Sequence, residues 1–226
     1  MLAPQNTYSD LKGFFPFDPT EDQDALLRKL AVYLSIKRMM PEVLIIKGYA
    51  GTGKTTILRS VVAAHKKHKR KILLMAPTGR AAKVISGATG SKAYTIHRSL
   101  YRPKVGSGGS ASFVLAGNPH KNTTFVIDEA GLVATKNDAT LGGNSLLEDL
   151  LQFVFTDPSN GLILVGDPAQ LPPVGQPKSP ALDANYFIST GINAIEHTLR
   201  MVVRQALDSF ILKNATSLRK LIEEES

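Results

Sequence analysis

Residues 43–67 read VLIIKGYAGTGKTTILRSVVAAHKK, and three local patterns follow one another there without a gap. Val43–Lys47 is a short apolar run, the pattern of a strand buried on both faces. TILRSVVAAHKK is a helical run, and it predicts a helix over Lys54–Lys67. Between them lies GYAGTGKT, Gly48–Thr55, which satisfies G-x-x-x-x-G-K-[ST] in the strand-to-helix setting that this pattern requires. Its glycines let consecutive backbone N–H groups turn inward around phosphates, and the helix N-terminus adds its dipole. In such a P-loop Lys54 reaches the β and γ phosphates, and Thr55 can ligate Mg²⁺. Gly48, Ala50, Gly51, Thr52, Gly53, Lys54, Thr55 and Thr56 are therefore the expected nucleotide contacts. The plainer alternative is a glycine-rich turn with no ligand.

Outward from this unit, short apolar runs alternate with longer helical patterns, which predicts an α/β fold with a mainly parallel sheet flanked by helices. Further strands are expected at Lys71–Met75, Thr123–Ile127 and Gly161–Val165, each ending at a loop rich in Gly, Pro or Asp. Helices are expected over Thr20–Met39, Gly79–Ser86, Ser145–Phe155 and Ala206–Glu223. The segment SLLEDLLQFVF is apolar around most of its circumference and reads as core. Residues 99–122 break the alternation, because two short extended pieces flank GSGGS, and they predict a projecting hairpin insertion. A last strand is expected near Thr198–Val203. Ligands of open parallel sheets bind beyond the carboxyl ends of the strands, so the chemistry is expected at those ends.

The 226 residues suffice for one large domain or two small ones. With no cysteine, disulfides, thiol catalysis and cysteine-based zinc sites are excluded. No apolar run approaches the roughly 18 residues of a membrane helix, and the opening MLAPQNTYSD lacks the regions of a signal peptide. A cytoplasmic protein without membrane contact is the expectation. The net charge of +8 is unevenly spread: Val43–Ile127 holds fifteen Lys or Arg and no acid, while the remaining residues hold twelve basic against nineteen acidic. A stretch so charged suits phosphate or nucleic acid, although a solvated basic surface would have the same composition. The tract HKKHKRK, residues 65–71, reads as a solvated helix end whose cations complement the dipole. His65 and His68 within it have no carboxylate or cysteine company for a metal site.

Hydrolysis needs a carboxylate for Mg²⁺ and a second to activate water, and TTFVIDEA ends a strand with Asp128 and Glu129. Asp128 is assigned to the Mg²⁺ shell with Thr55, and Glu129 to the general base; alone, an Asp-Glu pair at a strand end is commonly structural. GLILVG delivers Asp167, and the loop DPAQLPPVG holds Gln170 among Pro168, Pro172 and Pro173. The Gln170 amide is placed to sense the γ-phosphate, with a rigid surface turn as the alternative.

The blocks GYAGTGKT, APTGRAAKVI, TIHRSL, VIDEAG, VGDPAQLPPVG and LRMVVRQA, in this order, resemble the N-terminal RecA-like domain of superfamily 1B DNA helicases of the RecD, Dda and Pif type. The resemblance spans most of the chain and implies one RecA-like ATPase lobe over residues 1–226, using ATP and Mg²⁺ to translocate on single-stranded DNA from 5′ to 3′. It implies DNA contacts at Pro77, Thr78 and Gly79 and at Thr95 and His97, where a helix cap and an ordinary polar residue are the alternatives. It implies that Gln23 in FDPTEDQDALL reads adenine, against an exposed helical glutamine, and that Arg204 meets the γ-phosphate. The hairpin lies where relatives carry a strand-separating element, with Tyr101 and Phe113 as its aromatic residues.

Such motors close the ATP site between two RecA-like lobes, and about 20 residues after Arg204 are too few for another. The expectation is an excised lobe, monomeric and weakly active by itself, whose partners are single-stranded DNA and a second lobe. The rival reading is a nucleotide-gated nucleic-acid-binding module without motor activity. A nucleotide kinase is disfavoured by GDPAQLPPVG.

Overall fold

The computed structural model describes residues 3–105, 111–135 and 144–203. In chain order the elements are α1 (Pro4–Gly13), α2 (Glu21–Ser35), β1 (Glu42–Gly48), α3 (Lys54–Lys67), β2 (Lys71–Ala76), α4 (Gly79–Thr89), β3 (Ala93–Thr95), α5 (Ile96–Leu100), β4 (Tyr101–Val105), β5 (Ala111–Leu115), β6 (Thr123–Ile127), α6 (Leu146–Val154), β7 (Gly161–Gly166), α7 (Ala184–Ser189) and β8 (Asn193–Leu199). Six strands form a parallel sheet in the order β3-β2-β6-β7-β1-β8, and β4 and β5 pair as an antiparallel hairpin.

Alternate residues of each strand enter cores on opposite faces. Leu44, Ile46, Leu74, Val126, Ile163 and Val165 pack with α1 to α4, while Val43, Ile45, Met75, Phe125, Ile127, Leu162 and Leu164 pack with α5 to α7. Burial on both faces is why these strands read as unbroken apolar runs. Each fully buried aliphatic side chain contributes about 1.5–3 kcal/mol.

Side-chain caps set the helix starts. Thr20 with Gln23 and Ser145 with Glu148 form capping boxes ahead of α2 and α6, and Thr78 and Thr95 cap α4 and α5. Helix α2 stops at Ser35, short of the expected Met39, because two arginines satisfy its last carbonyls. Arg38 Nη2 donates to Tyr33 O at 2.5 Å, and Arg70 Nη1 donates to Leu34 O at 2.7 Å. The expected strand near Thr198–Val203 lies earlier, at Asn193–Leu199, where its whole length pairs with β1. Helix α1, strand β3 and helices α5 and α7 add to the expected elements, whereas the Ala206–Glu223 helix falls outside the described residues. The hairpin is anchored by Tyr101, which is buried and donates to Asp149 Oδ2 at 2.6 Å, while Phe113 remains about half exposed. Its GSGGS tip lies outside the described residues.

The basic tract is a helix end whose Lys66, Lys67, Lys69 and Lys71 are exposed, as expected, and it also fastens neighbouring elements. Lys67 and His68 both bind Asp10 of α1, at 2.5 Å each, and Lys66 donates to Gly90 O at 2.8 Å. His65 is buried: Nδ1 donates to Val61 O at 2.8 Å, so Nε2 must accept from the Thr124 hydroxyl at 3.0 Å. Burial pushes the His65 imidazole down to about 4. Between that value and 6.5 the unfolded chain binds a proton that the folded chain refuses, so stability is lost as pH falls through this window. The shift corresponds to about 3 kcal/mol. Half-buried His197, also lowered by burial, acts in the same direction. The urea midpoint should therefore drop between pH 7 and pH 5, and His65→Gln should flatten that drop; equal slopes in the two proteins would refute the assignment.

Candidate nucleotide site

The register aligns the carboxyl ends of all six strands. Lys47 stands beside Gly166, Ile127 beside Leu164, Met75 beside Ile127, Ala76 beside Thr95 and Gly48 beside Leu199. Every motif loop therefore leaves the same edge of the sheet. β7 separates β1 from β6, so the P-loop and the Asp128–Glu129 pair stand two strands apart.

Protein donors occupy the P-loop carbonyls. Gln23 Nε2 donates to Thr52 O at 2.9 Å, the Val203 N–H donates to Gly51 O at 3.1 Å, and Lys54 Nζ donates to Gly48 O at 2.5 Å and Tyr49 O at 2.9 Å. The first amides of α3 have no intrahelical acceptor and open the helix at Gly53, as a phosphate cradle requires. A phosphate must draw the Lys54 ammonium from the two carbonyls it now holds. The cradle borders a cavity of about 460 Å³ lined by Gln23, Ala50, Gly51, Gly53, Lys54, Thr55 and Thr56, joined by Phe15, Phe17 and Asp18. A cavity of about 600 Å³ lies at the opposite edge by Lys71 and Thr123 and contains no residue of the P-loop or of the Asp128–Glu129 pair.

Gln23 is not an exposed helical residue. It is 2% exposed, and besides holding Thr52 it accepts the Thr20 N–H at 3.0 Å. These two bonds use one of its amide hydrogens and one of its lone pairs.

Asp128 continues β6, its N–H bonding Met75 O at 3.0 Å. Burial raises its carboxyl above the usual range, the Glu129 charge adds to this, and Lys54 opposes it. A dication beside this half-buried carboxylate would offset the burial cost, so the residues present fit Mg²⁺. Among the described residues no three His, Cys, Asp or Glu side chains cluster, but one carboxylate, the Thr55 hydroxyl and phosphate oxygens are a usual Mg²⁺ ligand set. Glu129 sits at φ +53°, in the left-handed region, which swings the chain sharply away from Asp128.

Asp167 is buried, and its Oδ1 accepts the Ala169 N–H at 2.9 Å. Exposed Gln170 borders a second cavity of about 390 Å³, with Lys47, Asp167 and Lys178, and is not among the residues lining the P-loop cavity. On the other half of the edge, the Thr78 and Thr95 hydroxyls accept the Ala81 and Arg98 N–H at 3.2 Å each, as caps. Pro77, exposed Gly79 and exposed His97 flank them, and His97 lies 5.8 Å from the Tyr101 ring. Arg80, Lys83, Arg98 and Arg102 are exposed there without a carboxylate partner among the described residues.

The model of a family described as an AAA domain matches residues 21–220. The chain belongs to that family. This AAA domain is 31% identical over 156 residues to the ATP-dependent RecD2 DNA helicase of Deinococcus radiodurans, covering 69% of this chain and 18% of that protein. It is 33% identical over 145 residues to the uncharacterised protein MJ1519 of Methanocaldococcus jannaschii, covering 59% of this chain and 12% of that one. The crystal structure of the Pif1 helicase from Candida albicans superposes with a TM-score of 0.53 at 19% identity, over 85% of this chain and 42% of that one. The AAA domain thus spans less than a fifth of the curated relatives. It is an AAA domain of RecA-like P-loop fold.

Arg204 lies outside the described residues. Phe15, Phe17 and Asp18 were not legible as cavity residues, although the segment FFPFDPT, rich in aromatics and proline just before α2, carried the signal. The tightest constraint on the cradle is Gly53, at φ +92°, where an added Cβ would stand 2.4 Å from Gln23 Nε2. Gly53→Ala should cost about 2 kcal/mol of stability through the backbone strain, read as a lowered denaturation midpoint; an unchanged midpoint would contradict that packing.

Proposed function

We propose that this AAA domain is the ATP-hydrolysing lobe of a DNA helicase that moves on single-stranded DNA from 5′ to 3′. The observation that carries the reading is one sheet edge with the P-loop and Asp128–Glu129 on one half and cation-flanked helix starts on the other. Gly48, Ala50, Gly51, Thr52, Gly53, Thr55 and Thr56 enclose the phosphates, and Gln23 with its remaining donor and acceptor reads the adenine edge. Lys54 transfers its ammonium from the Gly48 and Tyr49 carbonyls to the β and γ phosphates. Thr55 and Asp128 hold Mg²⁺, which when bound supplies positive charge to the phosphate oxygens. Glu129 takes a proton from the attacking water, Gln170 reports the γ-phosphate to its loop, and Arg204 stabilises the transferring charge.

Single-stranded DNA lies across Pro77, Thr78, Gly79, Thr95 and His97. Because Thr78 and Thr95 already cap their helices, backbone N–H groups and the nearby cations make the phosphate contacts, and the hydroxyls hold those helix starts in place. The curated relatives extend far beyond the matched region, which agrees with a second RecA-like lobe completing the ATP site. The lobe alone is monomeric, resides in the cytoplasm, and turns over slowly.

Lys54→Ala should weaken ATP binding at least about tenfold in calorimetry with the circular dichroism spectrum unchanged, and equal affinities would refute the assignment. Glu129→Gln should keep ATP binding and lose about a hundredfold or more of DNA-stimulated turnover in a protein with both lobes. Unchanged turnover would favour a nucleotide-gated binding module. Oligothymidine affinity should fall steeply with salt; a flat response would remove phosphates from the interface.

A further inference from the structure

The amino-terminal edge of the sheet borders the cavity of about 600 Å³ that the nucleotide reading leaves unused. Its walls come from the chain after α2, the end of α3 and the starts of β2 and β6. They carry Lys37, Arg38, Arg70 and Lys71 together with His65 and His68, and no Asp or Glu. The whole of β6, Thr123–Ile127, separates this edge from Asp128.

Two of these cations are built into the protein. The last carbonyls of α2 take one N–H from each guanidinium, Tyr33 O from Arg38 at 2.5 Å and Leu34 O from Arg70 at 2.7 Å. Those bonds use one of the five N–H groups that each guanidinium owns. The Arg38 side chain is 8% exposed and lies over the Tyr33 ring, 4.0 Å from its centroid. Its Nε is buried with no hydrogen-bond partner, and the Glu42 carboxylate stands 4.0 Å away, outside hydrogen-bond reach. Buried donors are nearly always satisfied, so an orphan N–H on a cavity-lining residue points to an acceptor that enters from the cavity. Lys37 and Lys71 are exposed, with no carboxylate at ion-pair distance among the described residues. Only His68 is matched, by Asp10. Burial is the largest cause that lowers the His65 imidazole, and the charges of Arg70, Arg38 and His68 act in the same direction. Positive charge in excess of its partners therefore reaches the cavity wall.

Clustered cations with no acid among them favour a multiply charged anion. A phosphate group carries about 1.5 to 2 negative charges at neutral pH and offers three acceptor oxygens. Guanidinium forks match those oxygens in geometry, and ammonium groups add point charges. We propose that this cavity is a phosphate-binding site separate from the P-loop, taking the phosphate of a free phosphorylated compound or of a nucleic-acid strand. It stands independently of the nucleotide reading.

Inorganic pyrophosphate is the probe, and the ring-proton resonances of His65 and His68 in the 226-residue chain are the readout, because both rings line the cavity. Pyrophosphate also fits a P-loop, so the titration is run in Lys54→Ala beside the unaltered protein. Both should show saturable shifts of these two signals, with affinities within about twofold of each other. Lys37→Glu/Lys71→Glu should weaken that affinity at least about tenfold, and the milder Lys37→Gln/Lys71→Gln about threefold. Both variants should keep the circular dichroism spectrum and the affinity for a nonhydrolysable ATP analogue. Oligothymidine that moves the same two signals identifies a nucleic-acid strand as the source, and pyrophosphate acting alone identifies a free phosphorylated compound. Signals that do not move, shifts that vanish in Lys54→Ala, or equal affinities in the folded lysine variants would overturn the proposal. Tetraglutamate binding as tightly as pyrophosphate would overturn it in favour of an acidic protein segment.

Discussion

A phosphate cradle works only if its peptide groups are held with their amides available to an anion, and here that orientation depends on partners for the carbonyls. Gly51 O and Thr52 O are bonded to Val203 and to Gln23, one from the segment after the last described strand and one from a helix that precedes the first strand. Gly53 makes the turn at φ +92°, a conformation that would strain any residue with a Cβ. Lys54, folded onto Gly48 O and Tyr49 O, keeps its ammonium hydrogen-bonded beside the cradle until a stronger acceptor arrives. The loop is thus braced from outside and mobile in charge on the inside.

The sheet converts that local brace into a site. Parallel register aligns the strand ends, so residues far apart in sequence emerge along one edge with no long-range side-chain contact needed to align them. β7 lies between β1 and β6, so the phosphate loop and the Asp128–Glu129 pair stand two strands apart on the same edge. Burial raises the Asp128 carboxyl, and Glu129 is held in a strained backbone conformation; both cost stability, and both occur where function is proposed.

Folding also sorts the acid-free basic stretch into two populations. Lys47 finds Glu196 at 2.8 Å, and Lys67 finds Asp10, so part of the positive charge is neutralised by acids from the flanking sequence. The exposed cations of α4, α5 and the hairpin base are left facing solvent beside the helix starts.

The central strands, the α3 boundaries, the parallel α/β class and the P-loop were legible in the amino-acid sequence, because each depends on local periodicity or on spacing within a dozen residues. Val43–Lys47, Lys71–Met75, Thr123–Ile127 and Gly161–Val165 all lie within observed strands, since burial on both faces leaves an unmistakable apolar run. The end of α2 was not legible, because the donors to its last carbonyls include Arg70, which is brought there only by packing. The true extent of β8 depends on pairing with β1, and the hydrogen bonds of the Asp22 carboxylate on amides 178 and 179 residues distant. His65, which looked like part of a solvated basic tract, is a buried neutral side chain because β6 brings Thr124 against it. Sequence decides what short-range stereochemistry and hydrophobic patterning decide; partners for polar groups at element ends are chosen by the folded chain, since any donor of suitable geometry can satisfy a carbonyl and only the fold determines which one arrives.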